Sequence, residues 1–250
     1  MPNQIVKYLG IDVYHLSGVS SWDDIKPCVD FVMLKIGQGS HIDDKFNEWS
    51  AECERLNIPY GGYWYVNSDN VNDVELEADL CISALQGKNI TFPVAYDYEP
   101  QNPQTAPIAC AMCRAFLNKV WNAGYIPMLY TGPVFYLGIF SDIVANEIHN
   151  GQYELWLARY IGSNHPNGLN YPTIPSRDTP DGYFAGYGNV HFENLGIWQW
   201  GYWNNVPGTY AHMDGDIGYK DYGNYIPPRP PSPSYRGYKM PLWMMLKHTH

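Results

Sequence analysis

The sequence predicts an α/β fold in which eight strands close into a TIM-like β/α barrel, with a second half that is rich in loops. Short apolar, β-branched or aromatic runs alternate with helical patterns, which is typical of consecutive βα units. Eight such runs occur along the chain, enough to close a barrel. The length of 250 residues lies in the usual range of a single α/β barrel.

The predicted strands are short, and their side chains alternate between two faces, so that one row fills the barrel while the other packs outside it. They span residues 8–13, 29–36, 60–66, 92–98, 125–130, 154–159, 196–200 and 212–217. After residue 151 the helical patterns fade, and residues 164–190 are rich in Gly, Pro, Asn and Tyr. We therefore expect the last three strands to be joined by loops.

Four helices are predicted between the earlier strands from their start and stop signals. The first spans residues 44–57 and carries an apolar stripe on one face. For the second, Asn72 with Glu75 three residues later forms a capping-box pattern. The third spans residues 105–124 and has a proline near its start, and Ser141 is expected to cap the fourth.

The chain changes character after the last predicted strand. Residues 1–224 are expected to form the barrel. Residues 225–234 are rich in proline and predict a polyproline-type spacer. Residues 235–250 are too few for an independent domain and are expected to form a short C-terminal tail.

The composition excludes some partners and admits others. Charged residues make up 16% of the chain and the net charge is −10 at pH 7, so a nucleic-acid-binding surface is not expected. No apolar run is long enough to span a membrane. Aromatic residues make up 16%, with 22 Tyr and 9 Trp. Such rings suit either core packing or stacking against sugars.

Cysteine and histidine usage indicates no disulfide framework and no metal site. The five cysteines cannot all pair, and the chain begins Met-Pro-Asn-Gln without an apolar signal core. We therefore expect reduced thiols and synthesis in the cytoplasm, so that any action outside the cell depends on release by another agent. The His residues are scattered and no phosphate-binding Gly-rich loop occurs, so no metal or cofactor is expected.

Asp97 and Glu99, which close the fourth predicted strand, have the clearest chemical implication. Strand alternation places both on one face, about 6.5–7 Å apart. Two acids this close do not ionise together easily, so that one holds a proton near neutral pH. Glycoside hydrolysis needs such a pair: one group protonates the leaving oxygen, and the other stabilises or attacks the sugar carbon.

Further acids end other predicted strands. Asp12 closes the first strand, and Asp214 lies in the last one, beside a second candidate, Asp216. In a barrel, side chains at the carboxyl ends of strands converge on one mouth. Each acid alone is a weak signal, because a lone Asp at a strand end is often a cap or turn residue. Their shared location predicts a catalytic site.

Seven blocks, in order along the chain, resemble a known family. They are Gly10-Ile-Asp12-Val, Val29-Asp-Phe-Val-Met-Leu-Lys35-Ile-Gly, Ile58-Pro-Tyr-Gly-Gly-Tyr-Trp-Tyr65, Phe92-Pro-Val-Ala-Tyr-Asp97-Tyr-Glu99, Leu155-Trp-Leu-Ala-Arg-Tyr160, Ile197-Trp-Gln-Trp200, and Met213-Asp214 followed by Tyr219-Lys-Asp-Tyr222. Together they resemble glycoside hydrolase family 25, the peptidoglycan-cutting lysozymes of phages, bacteria and some fungi.

The resemblance implies a flattened, irregular barrel with eight strands and about five helices. It implies cleavage of the β-1,4 bond between N-acetylmuramic acid and N-acetylglucosamine in peptidoglycan strands. Glu99 would be the general acid/base, Asp97 the nucleophile or the polariser of the substrate's acetamide, and Asp12 and Asp214 supporting acids. A phage or prophage lysin is the expected setting, acting on the wall after holin-type release or lysis, or as a virion component.

Six residues at or near the carboxyl ends of predicted strands are candidates for substrate binding. They are Tyr63, Tyr65, Tyr130, Trp156, Gln199 and Trp200. For Trp156 and Trp200 barrel packing is an equal alternative. In a regular strand Gln199 and Trp200 face opposite ways, so at most one contacts sugar from inside the barrel.

Two other functions remain open from the sequence. Leu16 and Ser17 stand where the family usually has Trp beside Gln or His, so a non-catalytic barrel that binds wall glycan, or a virion component, stays in consideration. A chitinase-like glycosidase would end a strand with Asp-x-Asp-x-Glu, but Ala95 occupies the first acidic position here.

Overall fold

The computed structural model describes residues 8–160, 169–170 and 195–224. Within these ranges eight strands close into a barrel, which confirms the predicted fold class, and two strands of two residues each pair at its edges. In chain order the strands are β1 Tyr8–Val13, β2 Phe31–Gln38, β3 His41–Ile42, β4 Tyr60–Tyr65, β5 Val94–Asp97, β6 Pro127–Thr131, β7 Glu154–Ala158, β8 Leu169–Asn170, β9 Leu195–Asn204 and β10 Met213–Gly218.

The order around the barrel is β1, β2, β4, β5, β6, β7, β9 and β10, and pairing of β10 with β1 closes the ring. All neighbours run parallel except β10, which runs antiparallel to both β9 and β1. Consequently the carboxyl ends of seven strands and the amino end of β10 meet at one rim.

Helices cover the outside of the strands. In the described ranges they are α1 Trp22–Ile25, α2 Phe46–Leu56, α3 Val71–Ala84, α4 Ala106–Asn122, α5 Pro133–Gly138 and α6 Ser141–Ile143, which continues into a π-helical turn at Val144–Ile148. Short 3-10 turns lie at Lys26–Cys28 and Tyr222–Asn224. The helices α2, α3 and α4 lie where the sequence predicts them, whereas α5 was not predicted.

Two predicted helix caps are wrong. The backbone N–H of Asp73 donates to the side-chain oxygen of Asn70 at 3.1 Å, so Asn70 and not Asn72 caps α3. Both asparagines precede an acid by three residues, and the sequence pattern alone does not separate them. Ser141 lies inside α6, where Phe140 occupies the cap position without a side-chain hydrogen bond.

Two apolar cores lie on opposite sides of the barrel wall. The larger one fills the space between strands and helices, and the smaller one fills the barrel itself. Inside the barrel, the rings of Phe31 and Phe92 stack with centroids 4.6 Å apart near the amino ends of the strands. Gly10 makes room for them, because a Cβ atom there would lie 2.3 Å from the Phe31 ring. The opposite end of the interior is polar.

Several sequence predictions concern parts outside the described residues. These parts are the spacer 225–234, the tail 235–250 and most of the loop 164–190, of which only Leu169–Asn170 is described. All five cysteines are free thiols in this structure. No helix within the described ranges is both long enough and apolar enough to cross a membrane.

Candidate active site

A cavity of about 290 Å³ opens at the rim where the carboxyl ends of the parallel strands meet. Each of the eight barrel strands contributes at least one side chain to its lining. The described lining consists of Asp12, Tyr14, Lys35, Tyr63, Tyr65, Asp97, Glu99, Tyr130, Trp156, Ala158, Tyr160, Gln199 and Asp214. The four acids predicted from the sequence are therefore brought together in one cavity.

Asp97 is the last residue of β5, and only 4% of it is exposed. The pKa of its carboxyl is raised well above the ordinary value, first by burial and then by the negative charge of Glu99, while the positive charge of Lys35 lowers it. The Oδ1 atom is buried without a hydrogen-bond partner among the described residues. Burial and the charge of Glu99 thus oppose ionisation of Asp97, whereas the ammonium group of Lys35 favours it.

Glu99 lies two residues beyond Asp97 and is more exposed at the edge of the cavity. Partial burial of the carboxyl raises its pKa, the nearby polar hydroxyl group of Tyr130 lowers it, and the charge of Asp214 raises it. The negative charge of Glu99 also disfavours ionisation of Asp97, so the two acids are not expected to ionise independently. Glu99 is the more accessible of the two.

Asp12 and Asp214 lie directly opposite each other on the antiparallel strands β1 and β10. Gln199 donates from Nε2 to Asp12 Oδ2 at 2.8 Å, and the Tyr160 hydroxyl donates to Asp214 Oδ1 at 3.1 Å. Burial is the largest cause of the raised pKa of both carboxyls, and for Asp12 the charge of Asp214 adds to it. These bonds orient both acids.

The structure separates the two acids of the Asp214-Gly-Asp216 run. Asp214 lines the cavity, whereas Asp216 lies two residues further along β10, deeper in the barrel and fully buried. The Trp156 indole donates from Nε1 to Asp216 Oδ1 at 2.9 Å. Asp216 therefore lies beneath the cavity and outside its lining.

Five of the six candidate binding residues line the cavity: Tyr63, Tyr65, Tyr130, Trp156 and Gln199. The ring of Trp156 lies edge-on to Tyr130 at 4.5 Å and to Tyr63 at 5.8 Å between centroids. The Tyr130 hydroxyl donates to Gln199 Oε1 at 2.8 Å. Tyr63, Tyr130 and Trp156 form the aromatic floor of the cavity. Through Gln199, this floor is linked by hydrogen bonds to Asp12.

Trp200 does not line the cavity. Side chains alternate along β9, so Gln199 points into the barrel and Trp200 points out of it, into the core between strands and helices. Its ring lies 6.2 Å from that of Trp203. Trp200 therefore packs the barrel wall, as one of its two sequence-based interpretations had it.

Sequence reasoning did not select Lys35 and Tyr160 as site residues, although both lie in blocks that carry the family resemblance. Lys35 Nζ lies 5.8 Å from the Tyr14 ring centroid and 5.3 Å from that of Tyr65. A lysine on the inward face of an otherwise apolar strand is the signal that points to it. Tyr160 follows β7 by two residues, and only the fold shows that it reaches Asp214.

The position of Leu16 bears on the open alternative from the sequence. Leu16 is 69% exposed and does not line the cavity, whereas its neighbour Tyr14 does. An aromatic side chain is therefore present at this edge of the cavity.

Within the described residues, no group of three or more His, Cys, Asp or Glu side chains could hold a metal ion.

An acid-lined cavity at the carboxyl end of an α/β barrel is the architecture of many glycosidases. The model of the family described as glycosyl hydrolases family 25 matches residues 11–209. The chain belongs to this family and is a glycoside hydrolase. A comparison with curated protein sequences gives no match.

Solved structures share the fold. The spore cortex lytic enzyme SleM of Clostridium perfringens has a TM-score of 0.64 at 23% identity, covering 87% of this chain and 68% of that one. For the autolysin LytC of Streptococcus pneumoniae the values are 0.63, 20%, 85% and 47%. For the catalytic domain of endolysin ply40 from bacteriophage P40 of Listeria monocytogenes they are 0.62, 19%, 88% and 96%. The chain thus spans about half of LytC.

Proposed function

We propose that the protein is an N-acetylmuramidase that cleaves the β-1,4 bond between N-acetylmuramic acid and N-acetylglucosamine in bacterial peptidoglycan. The observation that carries this proposal is the pair Asp97 and Glu99, which shares one open cavity with Asp12 and Asp214. Membership of family 25 supports the reaction class. Support for the substrate comes from similar structures, which include LytC in complex with a synthetic peptidoglycan ligand.

Glu99 serves as general acid and then as general base. It is the more accessible of the two acids, and its raised pKa favours the protonated form that a general acid needs. In the first step this proton goes to the glycosidic oxygen, and the leaving sugar departs as an alcohol. In the second step the Glu99 carboxylate removes a proton from the attacking water, which restores the starting state.

Asp97 acts on the sugar carbon side as the partner carboxylate, either as nucleophile or as polariser of the substrate's acetamide. An aryl glycoside with a good leaving group separates these roles in the Glu99→Gln variant, because such a substrate needs no general acid. Accumulation of a covalent glycosyl-enzyme, seen as a mass increase on intact protein, supports the nucleophile role. Release of an oxazoline without protein labelling supports the acetamide role.

The remaining lining residues suit a sugar ligand. Tyr63, Tyr130 and Trp156 provide a mainly buried aromatic floor, while Tyr65 is only partly buried and offers more of its ring to a ligand. Asp12 and Asp214, each oriented by a hydrogen bond, accept N–H or O–H groups of the acetamide or of a water. Gln199 fixes Asp12 and contributes to the floor.

For the biological setting we propose a phage or prophage lysin that reaches the wall after release from the cell, or as part of a virion. The similarity to the ply40 catalytic domain supports this, since that protein comes from a bacteriophage. The acidic net charge of −10 indicates that recognition of the largely anionic wall depends on shape and stacking.

The Glu99→Gln variant tests the proposal. Its lysis of purified Gram-positive walls is measured as a decrease in turbidity. We expect nearly complete loss of lysis, because the general acid is removed while the side-chain shape is kept. Glu75→Gln is the matched control, since Glu75 is exposed on α3, far from the cavity. Substantial lysis by Glu99→Gln would contradict the assignment of Glu99.

Two outcomes would favour other functions. Cleavage of chitin oligomers but not of peptidoglycan would indicate a chitinase-like glycosidase. Binding of wall glycan by the wild-type protein without release of reducing ends would indicate a non-catalytic binding protein on the same barrel.

A further inference from the structure

A buried acid beneath the cavity has no place in the mechanism described above. Asp216 has an exposure of 0%, against 8% for Asp12. Its Oδ1 accepts the Trp156 indole N–H at 2.9 Å, but its Oδ2 is buried with no donor among the described residues. A buried carboxylate oxygen without a donor is costly, which calls for a physical explanation.

The neighbouring side chain of Asp12 explains how this buried oxygen of Asp216 is accommodated. The side chains of Asp216 and Asp12 are within hydrogen-bonding reach of each other. They come together because Asp216 faces Gly10 and Gln199 on the adjacent strands, while Asp12 lies at the level of Asp214, one step nearer the rim. Two carboxyl groups form a hydrogen bond only if one of them carries a proton.

Burial and partners decide which of the two acids holds that proton. A charge costs more at the fully buried Asp216 than at Asp12, which reaches the cavity. Asp12 already accepts a bond from Gln199, and this favours its ionised form. Burial and the charge of Asp12 raise the pKa of Asp216 well above the ordinary value of 3.8, in agreement with the geometry.

We propose that Asp216 stays protonated at neutral pH and donates its proton in a hydrogen bond to Asp12, so that Asp12 is held as an ionised acceptor at the cavity wall. Asp216 is then a positioning residue. Together with Gln199 it fixes the Asp12 carboxylate from two sides, which leaves Asp12 able only to accept hydrogen bonds from a ligand. The catalytic consequence rests on the proposed muramidase function, whereas the shared proton does not.

Other ionisable groups act on this pair from the surrounding strands. They are Asp214 on β10, Asp97 and Glu99 at the end of β5, Tyr63 on β4, Tyr130 on β6 and Tyr160 after β7. The negative charge of Asp214 disfavours a second charge at Asp216. The ammonium group of Lys35 on β2 acts on Asp97.

The first test is a direct titration of the full chain by NMR with carboxyl-carbon-labelled aspartate. The Asp216 resonance, assigned by its loss in Asp216→Asn, is expected to stay at the position of a protonated acid at neutral pH. A resonance at the carboxylate position at neutral pH would overturn the proposal. This readout needs no catalytic activity, so it stands even if no wall is cleaved.

The second test compares the free energy of unfolding of Asp216→Asn and wild type as a function of pH. A carboxyl whose pKa is raised on folding binds more protons in the folded state, so stability falls as pH rises above 3.8 towards its folded pKa. Asparagine has no such loss. The stability of Asp216→Asn relative to wild type should therefore increase with pH, and a flat or opposite slope would overturn the proposal.

The third test concerns positioning. Asp216→Asn keeps both a donor towards Asp12 and an acceptor for Trp156, whereas Asp216→Leu keeps neither. We expect the asparagine variant to retain most of the wild-type rate and the leucine variant to lose about 10- to 100-fold, the range for losing a hydrogen bond to a charged group. Equal losses in both variants would overturn the positioning role. Should the leucine variant not fold, loss of rate in Asp216→Asn alone decides against it.

Discussion

Lys35 contacts the aromatic rings at the edge of the cavity and also affects the ionisation of Asp97. Its ammonium lies over the rings of Tyr14 and Tyr65, and Nζ donates to Gln38 Oε1 at 2.5 Å. Burial lowers the pKa of Lys35, and its charge in turn lowers the pKa of Asp97. In this way one side chain shapes both the aromatic edge and the ionisation of the central pair.

Lys35→Met is expected to move the acid limb of the pH–rate profile to higher pH. Removing the positive charge raises the pKa of Asp97, so a higher pH is needed to reach the ionised partner carboxylate. The measurement is kcat/KM against pH on soluble glycan fragments. Lys119→Met, at a helix surface where Lys119 pairs with Asp79, is the control and should leave the profile unchanged. A shift to lower pH would contradict the role given to Lys35.

Tyr65→Ala is expected to weaken glycan binding about 2- to 12-fold, equivalent to about 0.5–1.5 kcal/mol for one aromatic contact. Calorimetric titration in the inactive Glu99→Gln background separates binding from turnover. Tyr210→Ala is the matched control, because Tyr210 is 87% exposed and does not line the cavity. Equal affinities of the Tyr65 and Tyr210 variants would show that Tyr65 does not contact the ligand.

Helix α3 supports the cavity from outside through one buried acid. The Glu77 carboxylate accepts the Trp64 indole N–H at 2.6 Å, the Gly39 N–H at 3.1 Å and the Ser68 N–H at 2.9 Å, together with the Ser68 hydroxyl. Gly39 follows β2 and Ser68 follows β4. Glu77 therefore ties the ends of the two strands that carry Lys35 and Tyr65.

Glu77→Ala should lower the free energy of unfolding by about 3 kcal/mol or more, because it leaves several buried donors without an acceptor. Denaturant unfolding measures the change. Glu75→Ala, on the exposed side of the same helix, makes the same substitution without those contacts and should be nearly neutral. A small loss in Glu77→Ala would mean that water replaces the carboxylate at little cost.

At the scale of elements, the sequence predicts what depends on local pattern. All eight barrel strands lie within a few residues of their predicted positions, because alternating apolar runs report a buried face. The cap of α3 fails because Asn70 and Asn72 offer equivalent patterns, and tertiary packing chooses between them. The short helix α5 was missed because six residues give little periodicity.

The residues of the candidate site were likewise predictable only in part. Asp12, Asp97, Glu99 and Asp214 could be placed because strand ends converge in a barrel. The difference between Asp214 and Asp216 could not be derived from spacing, since both point inward on β10. It depends on depth, which follows from the antiparallel register with β1. The contact of Tyr160 with Asp214 also depends on long-range strand pairing, that of β7 with β9 and of β9 with β10, because the two residues are 54 positions apart.

At the scale of the whole molecule, the acid cluster opposes the stability of the barrel. Asp12, Asp97, Glu99, Asp214 and Asp216 all have raised pKa values, with burial as the first cause. Each binds a proton in the folded state at a pH where the unfolded chain has lost it. Catalytic sites commonly hold such groups at a cost that the remaining fold offsets.

Stability should therefore decrease as pH rises from about the ordinary carboxyl pKa towards neutrality. Thermal unfolding across this range is the measurement, and the melting temperature should fall. In the double variant with Asp97→Asn and Glu99→Gln the decrease should be smaller, because two of the contributing groups no longer titrate. A melting temperature that rises steadily to neutral pH would contradict the raised pKa values.

The proposed muramidase activity is best tested by digesting purified Gram-positive peptidoglycan, reducing the products with borohydride and identifying the reduced end by mass spectrometry. We expect fragments that end in reduced N-acetylmuramic acid, formed by the wild-type protein and not by Glu99→Gln. Fragments that end in reduced N-acetylglucosamine, or no fragments from several walls, would contradict it.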